Sequence, residues 1–196
     1  MAQTPAPSQA SLSFITPDGR LACLGGQTGI GRPHDWRAVR DEGGPAGWAL
    51  VEKADDATDL RFPLCVTPQA FPRDLDLTLR FRPVSGARYQ AGGLIFRAQS
   101  AATYYVVRAD AREGSVRLYR MANGRRAGVG GKEVPVKTGE WHALRVRAVQ
   151  DSFEVWLDGE QLFKATDRSL ILPGAIGVWT QGDSVTHFGA LTIAMP

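Results

Sequence analysis

Cysteine, methionine and lysine are all scarce in this 196-residue chain, with two, three and four of each. Two cysteines are too few for a disulfide-built scaffold or a cysteine-rich zinc module, and a chain of this length buries an adequate core without either. No run approaches the eighteen apolar residues that a membrane-spanning helix needs. The three histidines, His34, His142 and His187, lie too far apart for a local ligand motif such as His-x-x-x-His, so no zinc site is expected. There is no Gly-x-Ser-x-Gly elbow for a nucleophilic serine, no repeat of 20–50 residues and no linker. Nor is there a large charge excess: 23 Lys and Arg face 20 Asp and Glu. The only dense basic runs, Arg117/Arg120 and Arg125/Arg126, surround one turn, so nucleic acid is not expected as a partner.

Turn chemistry, by contrast, is abundant. Twenty-two glycines and twelve prolines fall at short intervals between apolar stretches, the pattern of an all-β chain. From Asp74 to Arg82 the residues alternate strictly, placing Leu75, Leu77, Leu79 and Phe81 on one face of a half-buried strand. Further strands are expected over 92–98, 103–108, 115–121, 141–148, 153–157, 161–165, 175–181 and 184–193, with shorter ones at 48–51 and 61–66. Residues 36–41 read as a strand or a helical turn. Asn123-Gly124 and Asp158-Gly159 tolerate the positive φ angles of type I′ turns, which makes both sites hairpins. Phe188, Leu191 and Ile193 cannot share a face at period two, so a bulge is expected near Gly189. Ten to twelve antiparallel strands in one domain, spanning 13–196 behind a flexible tail at 1–12, fit a two-sheet jelly-roll sandwich better than a closed barrel.

The first ten residues are small, polar and Pro-containing, without the basic and apolar regions of a signal peptide. They read as the start of a mature exported protein, the plain alternative being a cytoplasmic tail. Leu21-Ala22-Cys23 lacks the preceding apolar run of a lipoprotein signal. Cys23 and Cys65 would close a loop of about 43 residues, worth about 4 kcal/mol if bonded; two buried free thiols are the other reading.

Asp59-Leu-Arg-Phe-Pro-Leu64, Gly93-Leu-Ile-Phe-Arg97, Tyr104-Tyr-Val-Val-Arg108, Val116-Arg-Leu-Tyr119, Asn123-Gly-Arg125, Trp141-His-Ala-Leu-Arg-Val146, Val155-Trp-Leu-Asp-Gly159 and Gly177-Val-Trp-Thr-Gln-Gly-Asp-Ser-Val185 form an ordered set. That set, covering Trp36 to Ile193, resembles exported bacterial proteins with a concanavalin A-like (laminin G-like) jelly roll, near the 3-keto-disaccharide hydrolase-like family and often labelled glycoside hydrolase-like. The resemblance implies an all-β, two-sheet antiparallel jelly roll, a ligand groove on its concave face and a periplasmic or secreted location. It fixes no reaction, because such folds host many functions. Two departures stand out: Gly189-Ala190 follow Phe188 where relatives carry acidic residues, and the Glu-x-Asp-x-x-Glu motif of retaining β-glucanases is missing.

On parity alone, Arg97, Tyr104, Arg108, Arg117, Tyr119 and Trp179 share one sheet surface. Aromatic faces stack on sugar C–H faces and guanidiniums bind hydroxyls or carboxylates, so this array suits a saccharide or glycoconjugate, including an anionic one. The plain alternative is a capped core with cross-strand ion pairs, and in the other register Tyr105 replaces Tyr104. A non-catalytic binding domain is therefore the expected function. The alternative is a glycoside-cleaving enzyme of the 3-keto-glycoside type, in which one base removes an acidified C–H proton; Asp110, Glu113, Asp183 and His187 are its candidate acid/base groups. No cofactor is expected. Structural Ca²⁺ stays open, with Asp183 and loop carbonyls as hard-oxygen ligands.

Overall fold

The alternation that begins at Leu75 becomes a series of antiparallel strands in the computed structural model, which describes residues 9–196. In chain order the described strands are β1 (Ala10–Leu12), β2 (Leu24–Gly29), β3 (Trp36–Arg40), β4 (Trp48–Glu52), β5 (Arg61–Val66), β6 (Leu75–Ser85), β7 (Ala91–Ser100) and β8 (Thr103–Asp110). They continue as β9 (Ser115–Ala122), β10 (Arg125–Glu133), β11 (His142–Val149), β12 (Ser152–Leu157), β13 (Glu160–Thr166), β14 (Ala175–Trp179) and β15 (Val185–Ala194). One sheet has the order β13-β12-β11-β6-β15-β4-β3, with β1 also paired to β15; the other runs β10-β9-β8-β7-β14-β5-β2. Two antiparallel sheets face to face form the expected jelly-roll sandwich. None of the described helical segments is long and apolar enough to cross a membrane.

The core between the sheets follows from period-two alternation. Leu75, Leu77, Leu79 and Phe81 of β6, with Leu144 and Val146 of β11, are buried in one cluster with Leu94 and Phe96 of β7, Tyr105 and Val107 of β8, and Val116 and Leu118 of β9. Both hairpin turns form where Asn-Gly and Asp-Gly stand: Asn123 and Gly124 have φ of 50° and 76°, Asp158 and Gly159 51° and 86°. The β6 and β15 register slips between Phe188 and Leu191, the expected bulge. Residues 36–40 are a strand.

Two strands depart from the sequence reading. β1 occupies Ala10–Leu12, pairing with Leu191–Ile193, inside the stretch expected to be a flexible tail; the rest of that tail, residues 1–8, lies outside the described residues. β2 is not expected, because Leu-Gly-Gly-Gln-Thr-Gly carries no alternation, whereas β10 is the return strand that the Asn123-Gly124 hairpin implies, its glycine-rich sequence setting no bounds. Both are edge strands, whose existence depends on a neighbour more than on their own side chains.

Cys23 and Cys65 are joined by a disulfide that ties the segment before β2 to β5. At the other end of β5, Arg61 is fully buried. Its guanidinium donates to both Glu52 carboxylate oxygens at 2.8 and 3.0 Å, to the Arg32 carbonyl at 2.9 Å and to the Gly182 carbonyl at 2.9 Å. One cation thereby holds the loops after β2 and β14 to the end of β4.

Candidate functional site

The second sheet has two faces, and the one turned away from the core carries the second apolar cluster: Phe62, Leu64, Ile95, Tyr104, Val106, Met121 and Trp179. This face is concave. Strands lie about 4.8 Å apart, so β10 and β5, five strands apart in sheet order, would be separated by about 24 Å in a flat sheet. Yet the Arg126 guanidinium on β10 sits 5.0 Å from the ring of Phe62 on β5 and 4.7 Å from that of Tyr119 on β9. The sheet has curled until a side chain from one edge reaches across to the other side.

The groove floor is aromatic and sealed. Trp179 stacks on Phe62 with centroids 5.4 Å apart. Its Nε1–H donates to the Tyr104 hydroxyl at 3.1 Å, which also shares a 2.7 Å hydrogen bond with Thr28 Oγ1. Both Trp179 and Tyr104 are 0% exposed. Burial pushes the Tyr104 hydroxyl up to about 12, so it remains a neutral donor and acceptor. These two expected ligand contacts are instead the support on which the accessible residues rest, while Tyr105 lies in the inter-sheet core.

Arg108, Asp110, Glu113 and Arg117 come together at one end of the groove. Cross-strand pairing puts Arg108 opposite Arg117 and Asp110 opposite Ser115, all pointing the same way. Arg108 donates to Asp110 and Glu113, and Arg117 to Glu113 at 3.0 Å and to Glu133. Asp110 is buried and also accepts the N–H groups of Arg112 and Glu113, leaving it a structural anchor. Burial raises the Glu113 pKa, but hydrogen bonds and charge from Arg108 and Arg117 outweigh it and hold the carboxyl below its ordinary range. Among the described residues, Arg108 Nε and Ser115 Oγ are buried here without a hydrogen-bond partner. Beside the cluster lies a cavity of about 410 Å³, lined by residues 111–114 and 133–136, including both Glu113 and Glu133.

The lowered Glu113 pKa has a measurable consequence. A depressed folded-state pKa contributes stability that is fully present above the unfolded value of about 4.3 and lost as pH falls through the folded value. Melting midpoints of the wild type and Glu113→Gln are therefore expected to differ most near neutral pH and to converge below about pH 4. Parallel curves down to pH 3 would show that the network does not hold this carboxylate.

Other expected site residues lie elsewhere. Arg97 was expected opposite Leu94 and Phe96, but a bulge after Phe96 gives it a φ of 52° and turns it away from the groove. Its guanidinium donates to the carbonyls of Arg73 (3.0 Å), Leu170 (3.1 Å) and Gln150 (2.7 Å), lying near the Phe153 ring. The Asp183 carboxylate accepts the N–H groups of Ala87, Arg88 and Tyr89 and so organises a turn. His187 is on the first sheet, hydrogen-bonded through Nδ1 to Asp41 at 2.5 Å, with Arg82 donating to the same carboxylate. It shares no surface with the groove. No group of three or more His, Cys, Asp or Glu able to hold a metal occurs among the described residues.

Sequence parity placed Tyr119 on this face, as observed, but did not assign Arg126 to it. Arg126 is exposed, pairs with no carboxylate among the described residues and lies 3.5 Å from the Gln181 side-chain oxygen. The available signal was its place two residues after the Asn123-Gly124 turn, opposite Met121; what parity could not show was the curl that carries it over Phe62.

Comparison with solved structures gives the same architecture. Carbohydrate binding module CBM66 from Bacillus subtilis superposes with a TM-score of 0.65 at 22% identity, covering 84% of this chain and 92% of that one. A protein of unknown function with a galectin-like fold from Bacillus subtilis gives 0.61 at 10% identity, covering 89% and 96%, and Bacillus licheniformis β-glucanase gives 0.56 at 9%, covering 88% and 98%. These likenesses concern the fold. No curated protein matches the sequence. The family model described as the 3-keto-alpha-glucoside-1,2-lyase-like domain matches residues 32–193, nearly the whole sandwich and every strand of the groove except β2. The chain belongs to the 3-keto-alpha-glucoside-1,2-lyase-like domain family.

Proposed function

We propose that the protein is an exported saccharide- or glycoconjugate-binding domain whose ligand lies in the concave groove, over Tyr119 and Arg126 and beside the Glu113–Arg117 cluster. The observation that carries this reading is Arg126: an exposed guanidinium without a carboxylate partner, held between Phe62 and Tyr119 in the middle of a concave surface. A carboxylate-bearing sugar would meet a cation there. Glu113, Arg117 and Glu133 supply acceptors and donors for hydroxyls, and the unfilled valences at Arg108 and Ser115 add polar capacity behind them. The CBM66 likeness supports the saccharide, and the Cys23–Cys65 disulfide supports an oxidising compartment.

A thermal-shift screen against oligosaccharides and uronic acids tests this, because a ligand that binds only the folded state raises the melting midpoint. Arg126→Ala is expected to weaken a uronate hit at least tenfold, since a charged hydrogen bond contributes about 1.5–3 kcal/mol, while leaving the unliganded midpoint nearly unchanged. Unchanged affinity in Arg126→Ala, or no saccharide response at all, would count against the groove.

The family's lyase description favours a second reading, glycoside cleavage by a single base. Of the candidates, Asp110 and Asp183 have their oxygens engaged by backbone N–H groups, whereas Glu113 lines the cavity beside the Arg108–Arg117 cluster. Incubation with 3-keto glycosides tests it; turnover lost in Glu113→Gln would convert the binding groove into an active site.

A further inference from the structure

Arg126 meets one polar side chain across the groove, and that side chain is an amide. The Thr180 N–H donates to the Pro63 carbonyl and the Gly182 N–H to the Arg61 carbonyl, each at 3.0 Å. These bonds carry the pairing of β14 with β5 beyond Trp179 and set Gln181 opposite Phe62, the ring over which the Arg126 guanidinium lies. Gln181 is 3% exposed and engaged at both ends of its amide. Its Nε2–H donates to the Asp59 carbonyl at 3.2 Å, and its Oε1 accepts from Arg126 Nη1 at 3.5 Å. A backbone carbonyl only accepts, so the bond to Asp59 decides which end of the amide is turned to the arginine. Nη1 thus faces an uncharged oxygen, while Nε and Nη2 have no partner among the described residues. Those two nitrogens form one edge of the planar guanidinium fork, the edge that matches the two oxygens of a carboxylate.

We propose that Gln181 is the specificity-determining residue of this groove: it positions Arg126 without neutralising it and leaves the Nε–Nη2 edge to the carboxylate of an acidic saccharide, in preference to a neutral one. That a sugar bears the carboxylate rests on the saccharide reading; the open edge of Arg126 does not. Glutamate would fill the same space as Gln181 but place a negative charge against the guanidinium and lose the donor to Asp59. A carboxylate ligand would then compete with one already in place.

Acetate probes this edge without any sugar. In NMR spectra of protein carrying ¹⁵N-labelled arginine, near neutral pH and at constant ionic strength, acetate is expected to move the Arg126 Nε–H resonance saturably, and chloride is not. Gln181→Glu is expected to weaken acetate binding by about tenfold or more, the effect of losing a charge-assisted hydrogen bond. Gln181→Leu separates charge from packing: it also gives up the bond to Asp59 but leaves Arg126 cationic, so most of the acetate affinity should remain. Glucuronate and its uncharged methyl ester complete the test. Wild type should favour glucuronate, and Gln181→Glu should remove that preference. Acetate binding in this pattern with no response to glucuronate would uphold the role of Gln181 and count against the saccharide reading. Equal shifts with acetate and chloride, which are read on the wild type and need neither variant to fold, would overturn the proposal. So would wild-type acetate affinity in Gln181→Glu, or an equal loss in Gln181→Leu and Gln181→Glu.

Discussion

Replacing Arg61 by methionine is expected to cost about 3–5 kcal/mol of stability, because it strands a buried carboxylate. Glu52 is 2% exposed and its two oxygens receive the guanidinium together with the N–H groups of Asp35 and Ala54. Methionine fills much of the arginine stem's volume but donates nothing. The Arg32 and Gly182 carbonyls lose their donors at the same time. For a chain of this size each kcal/mol shifts the melting midpoint by about 2–4 °C, so a fall on the order of 10 °C is expected by calorimetry. Adding Glu52→Gln to Arg61→Met should restore part of the loss, since an amide is cheaper to bury unpaired than a carboxylate. A single variant within 1 kcal/mol of wild type would mean that water replaces the pair. The variant also has a functional readout: Gly182 adjoins Gln181, which faces Arg126, so saccharide affinity should weaken even well below the melting transition.

Opening the Cys23–Cys65 bond is expected to have a comparable effect. The cysteines are 42 residues apart in sequence, and a bond closing a loop of that length removes unfolded-state entropy worth about 4 kcal/mol. Wild-type protein in excess reductant, and the Cys23→Ala/Cys65→Ala variant without it, should both melt roughly 8–16 °C below the oxidised protein. The alanine pair isolates the bond better than serine would, because Cys65 is fully buried in the inter-sheet core and a hydroxyl there would lack a partner. Identical midpoints with and without reductant would show that the bond does not constrain the unfolded chain. The bond anchors the segment before β2 beside β5; β2 and β5 are the two edge-most strands on that side of the sheet.

Local chemistry in the sequence determined the all-β class, the strands from Leu75 onward, both Asx-Gly hairpins, the Gly189 bulge and the shared face of Arg108, Arg117 and Tyr119. Each follows from side-chain alternation or from a residue's own φ preference, and both act over a few residues. The ordered motifs also carried the family resemblance over almost the span that the family model matches. Tertiary structure decided the rest. Arg97 left the groove because a bulge, invisible to strict alternation, reversed its face; Tyr104 and Trp179 became floor because Phe62 on β5, Thr28 on β2 and Met121 on β9 pack against them. Edge strands β2 and β10 exist through their partners, and Arg126 entered the groove only because the sheet curls far enough for β10 to meet β5. Register and parity are properties of neighbouring residues, whereas curvature sums the twist and packing of seven strands, so the site's central cation could be located only in the folded chain.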